Sequence, residues 1–132
     1  MILAINIGNT NTVLGCIDGS KCVFVERIST VKTKTELEYA IDIKKADLEG
    51  GIISSVVPQI TMVVKAAVEK ILKKEVLIVG AGIKTGLNIR IDNPAQLGSD
   101  LVVGAVAGIA EYPTPLLIFD MGTANTVCVI DK

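Results

Sequence analysis

The sequence contains no histidine and no tryptophan, and only 3% of its residues are aromatic. The lack of histidine excludes histidine-based acid–base catalysis and His-containing metal sites. No apolar run approaches the roughly 20 residues that a membrane-spanning helix needs. The 13 basic and 14 acidic residues nearly cancel, so the chain has no basic footprint for nucleic acid or an anionic membrane. We therefore expect neither nucleic acid nor membrane as a partner.

Cysteine is also scarce. Cys16, Cys22 and Cys128 are odd in number and lie inside apolar segments, and Met1 runs directly into an apolar stretch with no secretory leader before it. This pattern favours free thiols and a cytoplasmic protein. Carboxylates, amides, hydroxyls and lysines are then the groups left for chemistry.

What is present is apolar and β-branched: 50% of the 132 residues are hydrophobic, enough for one well-buried domain. Turn signals and periodicity predict alternating elements. The predicted strands cover residues 2–7, 12–17, 22–28, 51–57, 76–79, 116–119 and 127–130, and the predicted helices cover residues 33–43, 59–74 and 98–110. The run 116–119 is apolar enough for a central strand buried on both faces.

This order predicts an α/β fold with a mixed sheet, β-β-β-α-β-α-β-α, followed by a C-terminal β-hairpin. We expect residues 1–115 to form a first domain. Residues 116–132 would be the opening strands of a truncated second unit, packed on the first domain or on another chain.

A nine-residue pattern occurs twice, as INIGNTNTV at residues 5–13 and as FDMGTANTV at residues 119–127. Each copy follows an apolar run and places an amide or acid at the strand end. A glycine then lets backbone amides approach a ligand, and small hydroxyl and amide side chains that bind phosphate follow. Two such loops facing one cleft would suit a kinase. The alternative is an ordinary hairpin turn.

Four ordered segments resemble the signatures of the type III pantothenate kinases: NIGNTNT at 6–12, IISSVVP at 52–58, KTGLNIRIDNP at 84–94 and DMGTANT at 120–126. The element order resembles the wider actin, sugar kinase and Hsp70 superfamily, whose domains are ribonuclease H-like (actin-like ATPase). The resemblance covers the whole chain but about the first half of a family member. It implies transfer of the γ-phosphate of ATP to pantothenate, the first step of coenzyme A synthesis, by a homodimer or other homo-oligomer.

The resemblance also assigns residues to roles. It implies ATP and Mg²⁺ as cofactors, with a monovalent cation beside them. Asp100 would be the general base that takes the proton of the attacking hydroxyl, and Gly86 and Arg90 would help to bind pantothenate. The ATP phosphates and the magnesium shell would be held by Asn6, Gly8, Asn9 and Thr10 from the first loop and by Asp120, Gly122 and Thr123 from the second, with Asn6 and Asp120 nearest the metal.

Three positions depart from the family pattern: Asn6 replaces an aspartate, Leu101 an arginine that grips the substrate, and Gly104 an asparagine. We therefore expect weak or no catalysis from this chain alone. The other hypothesis is a noncatalytic, self-associating half-domain, either a scaffold or a reconstructed half-sized ancestor, with at most residual phosphate binding. In that case Asp100 complements a helix dipole, Arg90 is a solvated loop residue and Asp120 is a strand-end turn former.

Overall fold

The computed structural model describes residues 1–30, 48–80 and 83–132. It divides into two compact units, Met1–Val79 and Gly80–Lys132, which we describe separately. The predicted helix over residues 33–43 lies outside the described residues. The predicted domain boundary between residues 115 and 116 stays a prediction.

The first unit contains a five-stranded sheet in the order β3-β2-β1-β4-β5. The first three strands pair antiparallel in sequence order, and β4 and β5 add to the other side of β1 in parallel. The elements are β1 Ile2–Ile7, β2 Asn11–Asp18, β3 Lys21–Ser29, β4 Gly50–Ser55, α1 Pro58–Leu72 and β5 Val76–Ile78.

The core of this unit lies between the sheet and α1. Strand alternation sends every second side chain of β1 to the same face, where Leu3, Ile5 and Ile7 are buried. The helix contributes a stripe at helical spacing, Ile60, Val64, Ala67, Val68 and Leu72. Val63 is half exposed. A helix presents only one stripe to a sheet, and Val63 lies beyond its border.

Helix α1 begins directly after β4. Pro58 stands in its first turn, where a missing N–H costs nothing because that amide has no intrahelical partner. Two hydroxyls strengthen this start: the N–H of Val57 donates to Ser55 Oγ at 3.1 Å, and Thr61 Oγ1 donates to the Val57 carbonyl at 2.9 Å. The end of β4 and the first turn of α1 therefore form one hydrogen-bonded connection.

The second unit begins with an extended segment and continues with a 3-10 helix at Pro94–Gln96, α2 at Ser99–Glu111, β6 at Leu116–Met121 and β7 at Asn125–Ile130. The two strands form an antiparallel hairpin. Gly108 lets α2 approach this hairpin closely, since a Cβ there would meet Ile118 Cδ1 at 2.8 Å.

The prediction that residues 116–119 form a central strand buried on both faces is wrong. In the described part of the chain β6 has one strand partner, β7, and α2 covers one face of the hairpin. Leu117 and Phe119, which point to the other face, are 58% and 59% exposed. The fold is thus mixed α/β, with a five-stranded sheet and a separate hairpin. None of the described helices is long and apolar enough to span a bilayer.

Candidate functional site

The first copy of the repeated pattern forms the turn between β1 and β2, residues 8–11, which we call the first glycine turn. Ile7 pairs with Thr12 as the last pair of the hairpin, and the N–H of Gly8 donates to the Asn11 carbonyl at 2.9 Å. A Cβ on Gly8 would lie only 3.0 Å from that carbonyl oxygen, so a side chain here would crowd the turn and force it to shift. The Gly8 N–H is already hydrogen-bonded inside the turn. The residues that could bind a phosphate are therefore the next two, Asn9 and Thr10, which are both exposed.

Neighbouring strands hold the first glycine turn on both sides. On the β4 side, the N–H of Val56 donates to the Ile7 carbonyl at 3.0 Å. On the β3 side, the N–H of Thr30 donates to the Thr10 carbonyl at 2.8 Å. The hydroxyls of Thr12 and Thr30 lie 2.9 Å apart, and Thr12 is buried. The turn is therefore anchored at its two ends.

The carboxyl ends of the parallel strands β1 and β4 lie side by side at this edge of the sheet. Asn6 is exposed and has Val13 and Ser54 as its cross-strand neighbours. In open α/β sheets ligands bind outside the carboxyl ends of strands, so the first glycine turn occupies a favoured place for a ligand. Ser54 and Ser55 belong to the IISSVVP segment, to which sequence reasoning gave no individual role.

The second copy forms the turn between β6 and β7, residues 122–124, which we call the second glycine turn. Met121 pairs with Asn125, and the N–H of Gly122 donates to the Ala124 carbonyl at 3.3 Å. A Cβ on Gly122 would meet nothing closer than 3.8 Å, so this turn has more room for a side chain than the first.

The cross-strand registers of the two hairpins differ by one residue. Asn6 and Asp120 occupy equivalent places in the pattern, yet Asn6 lies opposite Val13 whereas Asp120 lies opposite Thr126. Four residues separate the last pair of the first hairpin and three separate that of the second. Because side chains alternate between faces, the same pattern does not present the same face in both hairpins.

Asp100 lies in the first turn of α2 and is half-buried. Its Oδ1 accepts the N–H of Leu101 at 2.9 Å, and its charge complements the helix dipole. Gly108 of α2 lies against Ile118 of β6, so α2 packs on the strand that carries Asp120. Asp100 and Asp120 therefore belong to the same unit.

The segment predicted to bind pantothenate has no regular secondary structure over residues 83–93. Gly86 has φ +78°, a left-handed conformation that favours glycine, and Thr85 Oγ1 accepts the N–H of Leu87 at 3.3 Å. Arg90 is exposed. This segment thus forms a turn with an arginine displayed four residues beyond its glycine.

Residues 1–30, 48–80 and 83–132 contain no cluster of three or more histidine, cysteine or acidic side chains that could cage a metal. Magnesium on a nucleotide needs no such cage, because it keeps several waters and takes one or two protein oxygens beside the phosphates. The exposed Asn6 amide of the first unit and the exposed Asp120 carboxylate of the second are each an oxygen ligand of that kind.

The predicted residues thus fall into two sets. Asn6, Gly8, Asn9 and Thr10 come together at the first glycine turn, and the second unit carries the others: Gly86, Arg90, Asp100, Asp120, Gly122 and Thr123. Sequence reasoning missed Thr30, whose place beside the turn follows from the β2–β3 register and carries no local sequence signal.

Comparison with known proteins gives one consistent result. The family model described as "Type III pantothenate kinase" matches residues 2–132. Proteins of that name from Geobacillus sp. (strain WCH70), Exiguobacterium sp. (strain ATCC BAA-1283 / AT1b) and Brevibacillus brevis are 48%, 45% and 42% identical to this chain. Each alignment covers 100% of the chain but only 55%, 56% and 55% of the relative. The chain therefore spans about half the length of the curated relatives it matches.

Proposed function

The chain belongs to the type III pantothenate kinase family, and from that membership we propose that it carries the phosphate-binding half of an enzyme that phosphorylates pantothenate with ATP. The match over residues 2–132 is the observation that carries this proposal. It includes both glycine turns, the start of α2 and the Gly86–Arg90 segment. The actin-like, ribonuclease H-like form of the fold is part of the proposal, supported by the antiparallel β1–β3 and the parallel β4 and β5.

Within this proposal the two glycine turns bind the ATP phosphates. Asn9 and Thr10 of the first turn and Thr123 of the second offer exposed amides and hydroxyls. Each unit offers one candidate magnesium ligand, Asn6 in the first and Asp120 in the second. A bound magnesium ion would neutralise phosphate charge and align the transferred group. The monovalent cation implied by the family would serve the same phosphates.

Asp100 would accept the proton of the pantothenate hydroxyl as it attacks the γ-phosphorus. The Leu101 N–H on Oδ1 fixes the carboxyl group and leaves Oδ2 for the substrate hydroxyl. Gly86 and Arg90 would orient pantothenate, with the guanidinium directed at its carboxylate. Because Leu101 supplies no second cation, we expect weak substrate binding and slow turnover from this chain.

A titration of the 132-residue chain with MgATP tests the phosphate-binding part directly. We expect binding that Asp120→Asn weakens and that Gly122→Ala also weakens, since a methyl group would stand where the phosphate approaches. Gly122→Ala is informative because the turn itself has room for the Cβ. Pantothenate-dependent ADP formation then tests the kinase activity, with Asp100→Asn as the inactive control. An absence of binding at millimolar MgATP would rule the proposal out for this chain.

A second candidate function is noncatalytic self-association, favoured by the outer face of the β6–β7 hairpin. Leu117, Phe119, Met121, Val127 and Val129 share that face and are each 58–80% exposed. An apolar sheet face of this kind is suited to cover by a second copy of the chain, which would agree with a homodimeric family. Sedimentation analysis of the wild type and of Phe119→Lys tests it. A wild-type chain that stays monomeric at high concentration would exclude this candidate.

The proposed location is the cytoplasm. All three cysteines are free thiols, and Cys22 is exposed, which agrees with a reducing compartment.

A further inference from the structure

We propose that Thr30 is a positioning residue for the first glycine turn, holding it in the shape that receives the ATP phosphates. The inference rests on the proposed function for its ligand. Its structural part concerns two contacts that Thr30 makes to the turn and to the residue that follows it. Thr30 itself would touch neither ATP nor magnesium.

The first contact is from backbone to backbone. Strand β3 ends at Ser29, and the next residue still reaches across to the β2 side, where the N–H of Thr30 donates to the Thr10 carbonyl at 2.8 Å. This bond fixes the peptide that follows Thr10. Since Thr10 is one of the residues offered to phosphate, its orientation depends on the end of β3.

The second contact is between side chains. Thr30 Oγ1 and Thr12 Oγ1 lie 2.9 Å apart, and Thr12 is only 1% exposed. A buried hydroxyl that loses a hydrogen-bond partner pays a desolvation cost. The pair therefore favours one arrangement of β2 and the end of β3, directly behind the turn.

The two contacts leave the middle of the turn as the part that faces solvent. The Gly8 amide closes the turn on Asn11, Ile7 is held by Val56, and Thr10 and Thr12 are held by Thr30. Phosphoryl transfer depends on positioning, and small displacements of positioning groups are costly. Removing a contact between Thr30 and the turn should therefore weaken nucleotide binding, although no residue that contacts the ligand is changed.

The experiment compares wild type, Thr30→Val, Thr30→Ser and Ser29→Ala in the 132-residue chain. MgATP affinity is measured by calorimetry, and exchange of the Gly8 amide hydrogen is measured by NMR without ligand. Thr30→Val keeps the shape of the side chain and removes its hydroxyl, whereas Thr30→Ser keeps the hydroxyl. Ser29→Ala is the control, because it removes a hydroxyl from the exposed neighbouring residue. Thr30→Ala replaces Thr30→Val if the valine variant does not fold.

We expect Thr30→Val to weaken MgATP binding by about threefold to tenfold, the worth of one hydrogen bond, and to speed Gly8 exchange. Thr30→Ser should restore both, and Ser29→Ala should change neither. The inference would be overturned if Thr30→Val bound MgATP and exchanged its Gly8 amide hydrogen as the wild type does. It would also be overturned if Gly8 exchange in Thr30→Val were faster while MgATP affinity stayed at the wild-type value. If the wild type binds no MgATP, the proposed function fails instead. Gly8 exchange then decides alone whether Thr30 holds the turn.

Discussion

The N–H of Val76 donates to Oε1 of Glu69 at 3.0 Å, so a helix side chain binds the backbone of strand β5. Lys65, one turn earlier on α1, completes the arrangement: its Nζ donates to the Val76 carbonyl at 2.8 Å and lies 3.4 Å from Glu69 Oε1. In the described part of the chain β5 is an outer strand of its sheet. The pair thus occupies backbone groups that an outer strand would otherwise offer to another chain.

This arrangement predicts a pH-dependent stability. The Val76 amide, followed by Lys65, lowers the pKa of Glu69 below its ordinary value of 4.5. A carboxyl group with a lowered folded-state pKa stabilises the fold above its unfolded-state pKa, and this contribution disappears as the pH falls through the folded-state value. Urea unfolding should show Glu69→Gln with a lower midpoint than wild type at pH 7, and the two midpoints should converge as the pH falls below 4.5 and through the lowered pKa of Glu69.

The exposed neighbour Glu75 provides the matched control, because Glu75→Gln removes the same charge without a bond to Val76. Its midpoint should follow that of the wild type at both pH values. A gap between wild type and Glu69→Gln that persists in acid would mean that the charge of Glu69 is not what stabilises β5.

The end of α1 gives a second prediction. Lys73 has φ 53° and ψ 36°, a left-handed conformation, and its N–H donates to the Glu69 carbonyl. A residue with a side chain pays roughly 1–2 kcal/mol for this conformation, and glycine avoids that cost. Part of the gain is offset, because glycine also makes the unfolded chain more flexible. We expect Lys73→Gly to stabilise the chain by about 0.5–1 kcal/mol in urea titrations.

Lys74 stands next to it without the left-handed backbone, so Lys74→Gly should destabilise the chain. Equal effects of the two substitutions would show that loss of a lysine, and not backbone conformation, controls stability here.

Much of the fold followed from the sequence because its signals are local. Turn signals separated β1, β2 and β3, and helical periodicity predicted α1 over residues 59–74. The errors came from tertiary context. The apolar run at residues 116–119 has the composition of a buried central strand, but composition does not reveal how many elements cover a strand, and Phe119 is exposed.

The packing of α2 gives a third prediction, because its two central glycines have different surroundings. A Cβ at Gly104 would meet no atom within 4 Å, whereas one at Gly108 would meet Ile118 Cδ1 at 2.8 Å. Both substitutions improve helix propensity by about 1 kcal/mol. We expect Gly104→Ala to raise the unfolding free energy by that amount and Gly108→Ala to gain clearly less, because Ile118 must move.

Thermal and urea unfolding of the two variants make the comparison. Equal stabilisation would contradict the close approach of α2 to β6. Of these two glycines, only Gly108 lies at a close approach of α2 to β6.

The sequence predicted those residues of the candidate site that belong to a motif. It did not predict the features that depend on how the strands pair. Asn6 and Asp120 were found from the repeated pattern. The one-residue difference between the two hairpin registers was not, since the length of a turn depends on its hydrogen bonds. The role of Thr30 was not predicted for the same reason, because no neighbouring residue in the sequence indicates that Thr30 contacts the first glycine turn.

The last prediction concerns Asn6, which stands where the family resemblance expects an aspartate. Its side chain is exposed at the end of β1, so a carboxylate there would remain solvated and the fold should tolerate it. A carboxylate is a better magnesium ligand than an amide. We expect Asn6→Asp to tighten MgATP binding by about tenfold, which corresponds to about 1.4 kcal/mol, with no gain for ATP in the absence of magnesium.

Gln96→Glu is the control, since it adds the same negative charge at an exposed position outside both glycine turns. It should leave MgATP affinity at the wild-type value or slightly weaken it through repulsion. Calorimetric titrations with and without magnesium separate the two effects. If Asn6→Asp folds as the wild type does and binds MgATP no better, residue 6 does not approach the metal, and the first glycine turn would bind phosphate through its hydroxyls and amides alone.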